Sequence, residues 1–160
     1  MLNENVLDVW YRLSNITPVK GVKLNYAIAK NIALLATEAE SIKKALEALP
    51  EYQKYDKERL MICEEYAKKN EKGESIKIPQ GDGTAQYDFG DNDAKANKAI
   101  KALQEVYKEE IAAQEEKVKK DKLFLKEPNK VELHKIDMTD IPEDIDTNQM
   151  RALYPLIKEN

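Results

Sequence analysis

Residues 22–49 read VKLNYAIAKNIALLATEAESIKKALEAL. Apolar side chains recur in this segment at steps of three or four residues, at Leu24, Ile28, Ile32, Leu35, Ala39, Ile42 and Leu46. This spacing places them on one face of an α-helix, as in a coiled coil, and at 1.5 Å per residue the helix would be about 42 Å long. An apolar face of this length must be buried, so the sequence predicts a partner helix.

The partner expected for this helix lies in residues 93–122. Asn92 or Asp93 can cap a helix. A second apolar stripe follows, at Ala96, Ile100, Leu103, Val106, Tyr107, Ile111 and Val118. The second helix would be about 45 Å long, so the two lengths match. We therefore predict a mainly α fold based on a long, coiled-coil-like antiparallel helical hairpin. The residues expected to be buried together are Ile32, Leu35, Ile100 and Leu103. A dimer that pairs the stripes of two chains is the alternative.

The turn-forming residues divide the rest of this hairpin. Pro50 has no amide hydrogen, so it either begins a new helix or kinks one rod, and residues 22–69 are predicted to form a kinked helical arm. Residues 70–92 are predicted to form a small β-hairpin and loop, because apolar alternation on both sides brackets the glycine turn at residues 81–83. Residues 93–125 then form the return helix.

The sequence gives less uniform patterns at the two ends of the chain. The first 13 residues suit a short amphipathic helix, although Val9, Trp10 and Tyr11 also suit a strand. Residues 128–160 are predicted to form a tail that contains a strand, where Val131, Leu133 and His134 to Ile136 alternate, and a short C-terminal helix after Thr147. We expect one domain over residues 1–160, because no long linker divides the chain.

Composition excludes several functional classes. The chain has 160 residues, with 26 Lys and Arg against 30 Asp and Glu and a formal net charge of −4. Nucleic acid is therefore not an expected partner. No uncharged apolar run is long enough for a membrane span, and a single cysteine forms no internal disulfide. A cytoplasmic protein is expected.

No motif indicates catalysis, a metal or a cofactor. The aspartates around the glycine turn, Asp82, Asp88, Asp91 and Asp93, do not have the spacing of a calcium-binding loop. The single histidine, His134, excludes catalytic triads that need histidine together with most zinc sites, and Cys63 is expected to be a core residue. We therefore expect a protein that is not an enzyme.

Two sets of residues are candidates for binding a protein partner. One is the tyrosine set Tyr52, Tyr55 and Tyr66, which falls near one helix face. The other is the acidic set Asp137, Asp140, Glu143 and Asp144, which has no Lys or Arg among its members. The tyrosines also suit core packing, and the acidic residues also suit an exposed turn.

Several segments of the chain form a recognisable set: KLNYAIAKN at 23–31, the tyrosine-rich central helix, VELHKI at 131–136, DIPEDI at 140–145 and LYPLI at 153–157. In these segments the chain resembles a family of small bacteriophage and prophage proteins of uncharacterised function. The chain differs from the shorter family members by a longer third helix and a larger glycine loop. The resemblance implies a phage protein made in the host bacterial cytoplasm, and it implies no activity and no functional residue.

These observations together predict a non-enzymatic protein that binds a host factor, such as a component of an antiviral defence system. Two alternatives stay open. One is a structural protein of virion assembly or the phage tail. The other is a sponge that sequesters a small nucleotide signal, with an aromatic ring stacked on the base and lysine on the phosphate.

Overall fold

The structure, a computed structural model, describes residues 1–158 and is mainly α, as predicted. Its elements are α1 (Asn3–Ser14), α2 (Val22–Leu46), α3 (Pro50–Tyr66), β1 (Lys77–Pro79), β2 (Ala85–Tyr87), α4 (Asp93–Val106), α5 (Lys108–Phe124) and α6 (Thr147–Leu153). The predicted small antiparallel sheet and short C-terminal helix are confirmed. Within this described part, no helix is both long and apolar enough to cross a membrane.

The backbone divides into two compact units. The first unit contains Met1–Glu47 and the described residues from Lys119 onward, and the second unit is Ala48–Val118. Compact units of this kind can lie within one domain, so the expectation of a single domain stays a prediction.

The core of the first unit forms where α1 packs on α2. The N-terminal segment is therefore a helix rather than a strand, and its buried side chains Val6, Val9 and Leu13 follow helical spacing. The core consists of these three with Leu24, Ala27, Ile28, Leu35, Ala39, Ile42, Ile136, Leu153 and Leu156. The apolar stripe predicted for residues 22–49 is thus largely buried.

The partner predicted for that stripe is wrong. Ile32 and Leu35 lie in or against the core of the first unit, Ile100 packs in the cluster of the second unit, and Leu103 is only half-buried. These four residues therefore do not form one core. The stripe specifies which face of α2 is buried, but α1 follows the same periodicity and reaches α2 through a short loop.

The strand predicted within residues 128–136 is also wrong. Residues 131–135 form no strand, and Ile136 makes only an isolated bridge with Ile157. The buried side chain of Asn31 explains how an extended segment is held without a neighbouring strand. Its Oδ1 accepts from the backbone amide of His134 at 2.8 Å, and its Nδ2 donates to the carbonyl of His134 at 2.9 Å. One side-chain amide thus replaces the two hydrogen bonds that a paired strand would supply.

The second unit contains the helical hairpin. Near one end of the pair, Asn92 donates to the carbonyl of Tyr66 at 3.3 Å, and further along the Tyr107 hydroxyl donates to Glu58 at 2.8 Å. These contacts show that α3 and α4 run antiparallel. The strands β1 and β2 lie between them in sequence, with Ile78 opposite Gln86. The positive φ of Gly83, 83°, closes their turn.

Both long helical segments are divided in two. In the arm, Pro50 begins a new helix, which is one of its two predicted effects, because α2 ends at Leu46 and Pro50 is the first residue of α3. The return helix expected over residues 93–125 breaks at Tyr107, where φ is −103° and ψ is 26°. Neither proline nor glycine stands at this break. Tyr107 leaves helical geometry where its ring packs against Tyr55, with the centroids 5.7 Å apart.

Candidate functional site

An open groove runs along α3 in the second unit. It has a cavity volume of about 870 Å³. Its lining residues are Ala48, Tyr52, Gln53, Asp56, Lys57, Leu60, Met61, Glu64, Glu65 and Tyr87. All but Tyr87 come from α3 or the residue pair preceding it, so the groove follows a single helix.

The spacing of these residues explains why they share one face. Residues four apart lie one turn above each other on a helix, and two such rows run side by side here. The rows are Tyr52, Asp56, Leu60, Glu64 and, next to it, Gln53, Lys57, Met61, Glu65. From residue 52 to residue 65 the face extends about 20 Å at the helical rise of 1.5 Å.

The middle of the groove is apolar and exposed. Leu60 is 39% exposed and Met61 is 63% exposed. Methionine is unbranched and polarizable, so it adapts its shape to different apolar surfaces. Exposed apolar side chains of this size that lie side by side are typical of a surface that contacts another molecule.

Tyr87 forms one wall of the groove, and its position is set by polar contacts. Its hydroxyl donates to Glu64 at 2.6 Å, and its ring stacks with Phe89 at a centroid distance of 6.4 Å. The Ser75 hydroxyl also donates to Glu64. The hydrogen bonds from Ser75 and then Tyr87 hold the pKa of Glu64 below its usual value, and the Glu64 carboxylate raises the pKa of the Tyr87 hydroxyl.

The charges in the groove come from three carboxylates and one lysine. Asp56 accepts two hydrogen bonds from Arg59, at 3.0 Å from Nε and 2.7 Å from Nη2. Glu64 is within 3.7 Å of the Lys69 ammonium. Lys57 is the one basic lining residue, and Arg59 and Lys69 offset two of the three carboxylates, so the rim of the groove carries little net charge.

The predicted tyrosine set does not form one surface. Tyr55 is 4% exposed and packs against Tyr107, and Tyr66 packs against the small core of Cys63, Phe89 and Ala96. Only Tyr52 lines the groove. Burial of Tyr55 leaves it little area for contact with a partner, so Tyr52 is the member of this set that fits a partner-binding role.

The predicted acidic set is exposed except for Asp140, and three of its members pair with lysines of the first unit. Asp137 lies 2.9 Å from the Lys158 ammonium, Asp140 lies 3.2 Å from that of Lys23, and Asp144 pairs with Lys20. The hydrogen bond from Lys20 holds the pKa of Asp144 below its usual range. Glu143 is exposed as well. These ion pairs neutralise much of the charge that was expected to attract a basic partner.

Cys63, His134 and Asp82 make contacts that fit a structural role. Burial raises the pKa of the Cys63 thiol, which keeps it in the unreactive neutral form. Nδ1 of His134 is 3.3 Å from the Lys30 ammonium, and its ring meets Tyr26 edge to face. Asp82 accepts from Thr84 within its turn. In residues 1–158, no group of three or more His, Cys, Asp or Glu side chains is arranged to hold a metal ion.

Leu60 and Met61 were not among the predicted site residues. The signal for them is the apolar run Leu60-Met61-Ile62-Cys63, which covers more than one face of a helix. Cys63 is buried and Ile62 is half-buried, whereas the two preceding residues lie at the surface. Comparison of the chain with protein-family models, curated proteins and solved structures finds no match.

Proposed function

We propose that this chain is a non-enzymatic binding protein whose groove along α3 receives an amphipathic helix of a partner protein. The observation that carries the proposal is the exposure of Leu60 and Met61 side by side in the middle of that groove. The groove has the length and the apolar centre that helix-in-groove recognition uses.

The charge around the groove limits what the partner helix can rely on. Three carboxylates and one lysine line the groove, and Arg59 and Lys69 pair with two of those carboxylates. The rim is therefore close to neutral, and the match to a partner helix rests on its apolar stripe. Charged groups at the rim would then contribute mainly to specificity and to the rate of association.

The biological setting of the proposal comes from the sequence resemblance. A small phage protein made in the bacterial cytoplasm meets host proteins first, so we propose a host factor as the partner, for example one that acts in antiviral defence. A virion or tail protein as the partner is the competing outcome.

The proposal is tested by placing a charge in the groove. Met61→Lys should abolish capture of the partner from infected cells, because a buried ammonium at an apolar interface is costly. Met138→Lys is the matched control, since Met138 is 58% exposed and lies in the first unit. Both variants should melt close to the parent protein, because both side chains are exposed. The captured protein is then purified, and binding of its isolated helix is measured by calorimetry.

The results separate the alternatives. Binding of a host protein that is lost in Met61→Lys and retained in Met138→Lys supports the proposal. Co-sedimentation with phage particles that depends on Met61 would assign the groove to virion assembly instead. A partner that binds both variants equally would show that the groove is not its binding site.

A further inference from the structure

Two of the three arginines of the chain meet at a second pocket, which lies in the first unit. Arg12 is near the end of α1 and Arg151 is in α6, yet both line the same cavity of about 360 Å³. The other lining residues are Asn15, Ile16, Thr17, Asn148, Gln149 and Ala152. None of these described lining residues carries a carboxylate.

Hydrogen bonds fix the two segments that form this pocket. Nε2 of Gln149 donates to the Thr17 hydroxyl and to the carbonyl of Pro18, both at 3.1 Å. Oε1 of Gln149 accepts from the amide of Asp146, whose carboxylate in turn caps α6. Gln149 thus links α6 to the chain that follows α1.

The donors that remain available are on the two arginines. Nε of Arg12 donates to Asp8 at 2.8 Å, and within residues 1–158 this is the only ion pair recorded for Arg12. Its two terminal nitrogens are therefore left for another acceptor. Arg151 makes no ion pair with any residue of that part of the chain. Guanidinium groups bind phosphate and carboxylate oxygens through paired hydrogen bonds.

The size of the pocket selects among anions. A volume of about 360 Å³ lies within the range of small-molecule sites and exceeds what inorganic phosphate fills. Ile16 and Ala152 supply apolar surface beside the arginines. Two guanidiniums suit a doubly charged group better than a single carboxylate, and the apolar surface suits an organic part attached to it.

We propose that the pocket between Arg12 and Arg151 binds a small organic phosphate monoester. The phosphate lies between the two guanidiniums, and the organic part lies against Ile16 and Ala152. This site is in a different unit from the α3 groove, so it stands or fails independently of the proposed protein-binding function.

The test uses phenyl phosphate and inorganic phosphate as probes in an NMR titration of amide signals. We expect saturable shifts confined to residues 12–17 and 148–152, with phenyl phosphate binding more tightly than inorganic phosphate.

Arg151→Gln should weaken phenyl phosphate binding by about tenfold, the usual effect of losing a charged hydrogen bond. Arg59→Gln, which removes the third arginine, should leave the affinity unchanged. Asp8→Asn should strengthen binding severalfold because it removes the carboxylate charge that competes with the ligand for the Arg12 guanidinium, whereas Glu132→Gln, an equal charge change at an exposed site, should not.

Three results would overturn the proposal. The first is the absence of saturable shifts at millimolar phenyl phosphate. The second is a set of shifts spread over surface lysines and equal in all variants, which would indicate general electrostatic attraction. The third is equal binding of benzoate, phenyl phosphate and inorganic phosphate, which would indicate an anion contact without selectivity for a phosphate ester.

Discussion

The two units of the chain differ in how they bury apolar side chains. The core of the first unit contains twelve buried residues from α1, α2, α6 and the C-terminal segments, whereas the buried cluster of the second unit is Cys63, Phe89 and Ala96. The second unit relies more on tyrosine contacts, and it leaves Leu60 and Met61 at the surface. The unit with the smaller core is therefore the one that presents an apolar groove.

This difference suggests a division of roles. A well-packed unit provides stability, and a unit with few buried apolar contacts opens more readily and gains more from a partner.

The largest effect is expected from Leu35→Ala in the first unit. Leu35 is 0% exposed, so its truncation should cost about 2–5 kcal/mol of unfolding free energy. Leu103→Ala in the second unit should cost about 1 kcal/mol or less, because Leu103 is half-buried and outside both buried clusters. Urea denaturation followed by circular dichroism measures both. An equal cost for the two variants would break the contrast between the units.

The next effect is expected at Asn31, a polar residue of the first unit that is 0% exposed. Asn31→Ala removes both hydrogen bonds to the backbone of His134 and one to the carbonyl of Ala27. Because the partly buried amide and carbonyl of His134 lose their partner, the loss of unfolding free energy should be about 2–4 kcal/mol.

Hydrogen exchange provides the specific check for Asn31. The amide of His134 should exchange much faster in Asn31→Ala, while the amides of α2 away from residue 31 should change only with global stability. Leu34→Ala is the control on the same helix, since Leu34 is 44% exposed. Unchanged protection of the His134 amide would contradict the role given to Asn31.

A smaller effect concerns the opening of the second unit, which Cys63 reports. The thiol is 3% exposed and its pKa is raised by burial, so alkylation requires local opening. We expect Cys63 to react slowly in the native protein. The opening free energy calculated from its alkylation rate should nevertheless be lower than the opening free energy of the most protected amides of α2. The two quantities come from alkylation kinetics and hydrogen exchange on the same sample. Alkylation that occurs only on global unfolding would show that the two units open together.

The contrast between the units also shows what sequence could predict. The periodicity of residues 22–49 correctly marked Leu24, Ile28, Leu35, Ala39 and Ile42 as buried. The periodicity could not identify α1 as the partner helix. Each amphipathic helix carries the same kind of apolar stripe, and the stripe does not specify which helix packs against it. Likewise, the alternation at residues 131–136 marked partial burial, but the pairing group is the side chain of Asn31, which lies 103 residues away in sequence from His134.

The candidate site was predictable only in part for a related reason. Tyr52 and Tyr55 have similar sequence surroundings, but Tyr107 covers Tyr55 and leaves Tyr52 beside the groove. The acidic set has no Lys or Arg among its members in sequence. Its lysine partners Lys20 and Lys23 come from more than 110 residues away, and only the fold brings them together. Local sequence gives the chemistry of a side chain, whereas tertiary contacts decide whether that chemistry is available.

The smallest effect is expected at the wall of the groove, in the pH dependence of the Glu64 and Tyr87 contact. The folded pKa of Glu64 is lowered, so its contribution is present above the unfolded value near 4.5 and is lost as the pH falls through the folded pKa. The folded pKa of Tyr87 is raised, so its contribution is present below the unfolded value near 10 and is lost as the pH rises through the folded pKa. The contact is therefore complete between about pH 4.5 and 10.

Tyr87→Phe removes the hydroxyl that donates to Glu64. The titration midpoint of Glu64, measured by carboxyl carbon NMR, should then move up toward 4.5. The hydrogen bond from Ser75 should retain part of the shift. Tyr107→Phe is the matched control, since that hydroxyl donates to Glu58 instead. If Tyr87→Phe left the Glu64 midpoint where it is in the parent protein, Tyr87 would not be held by Glu64 and the groove would lack a fixed wall.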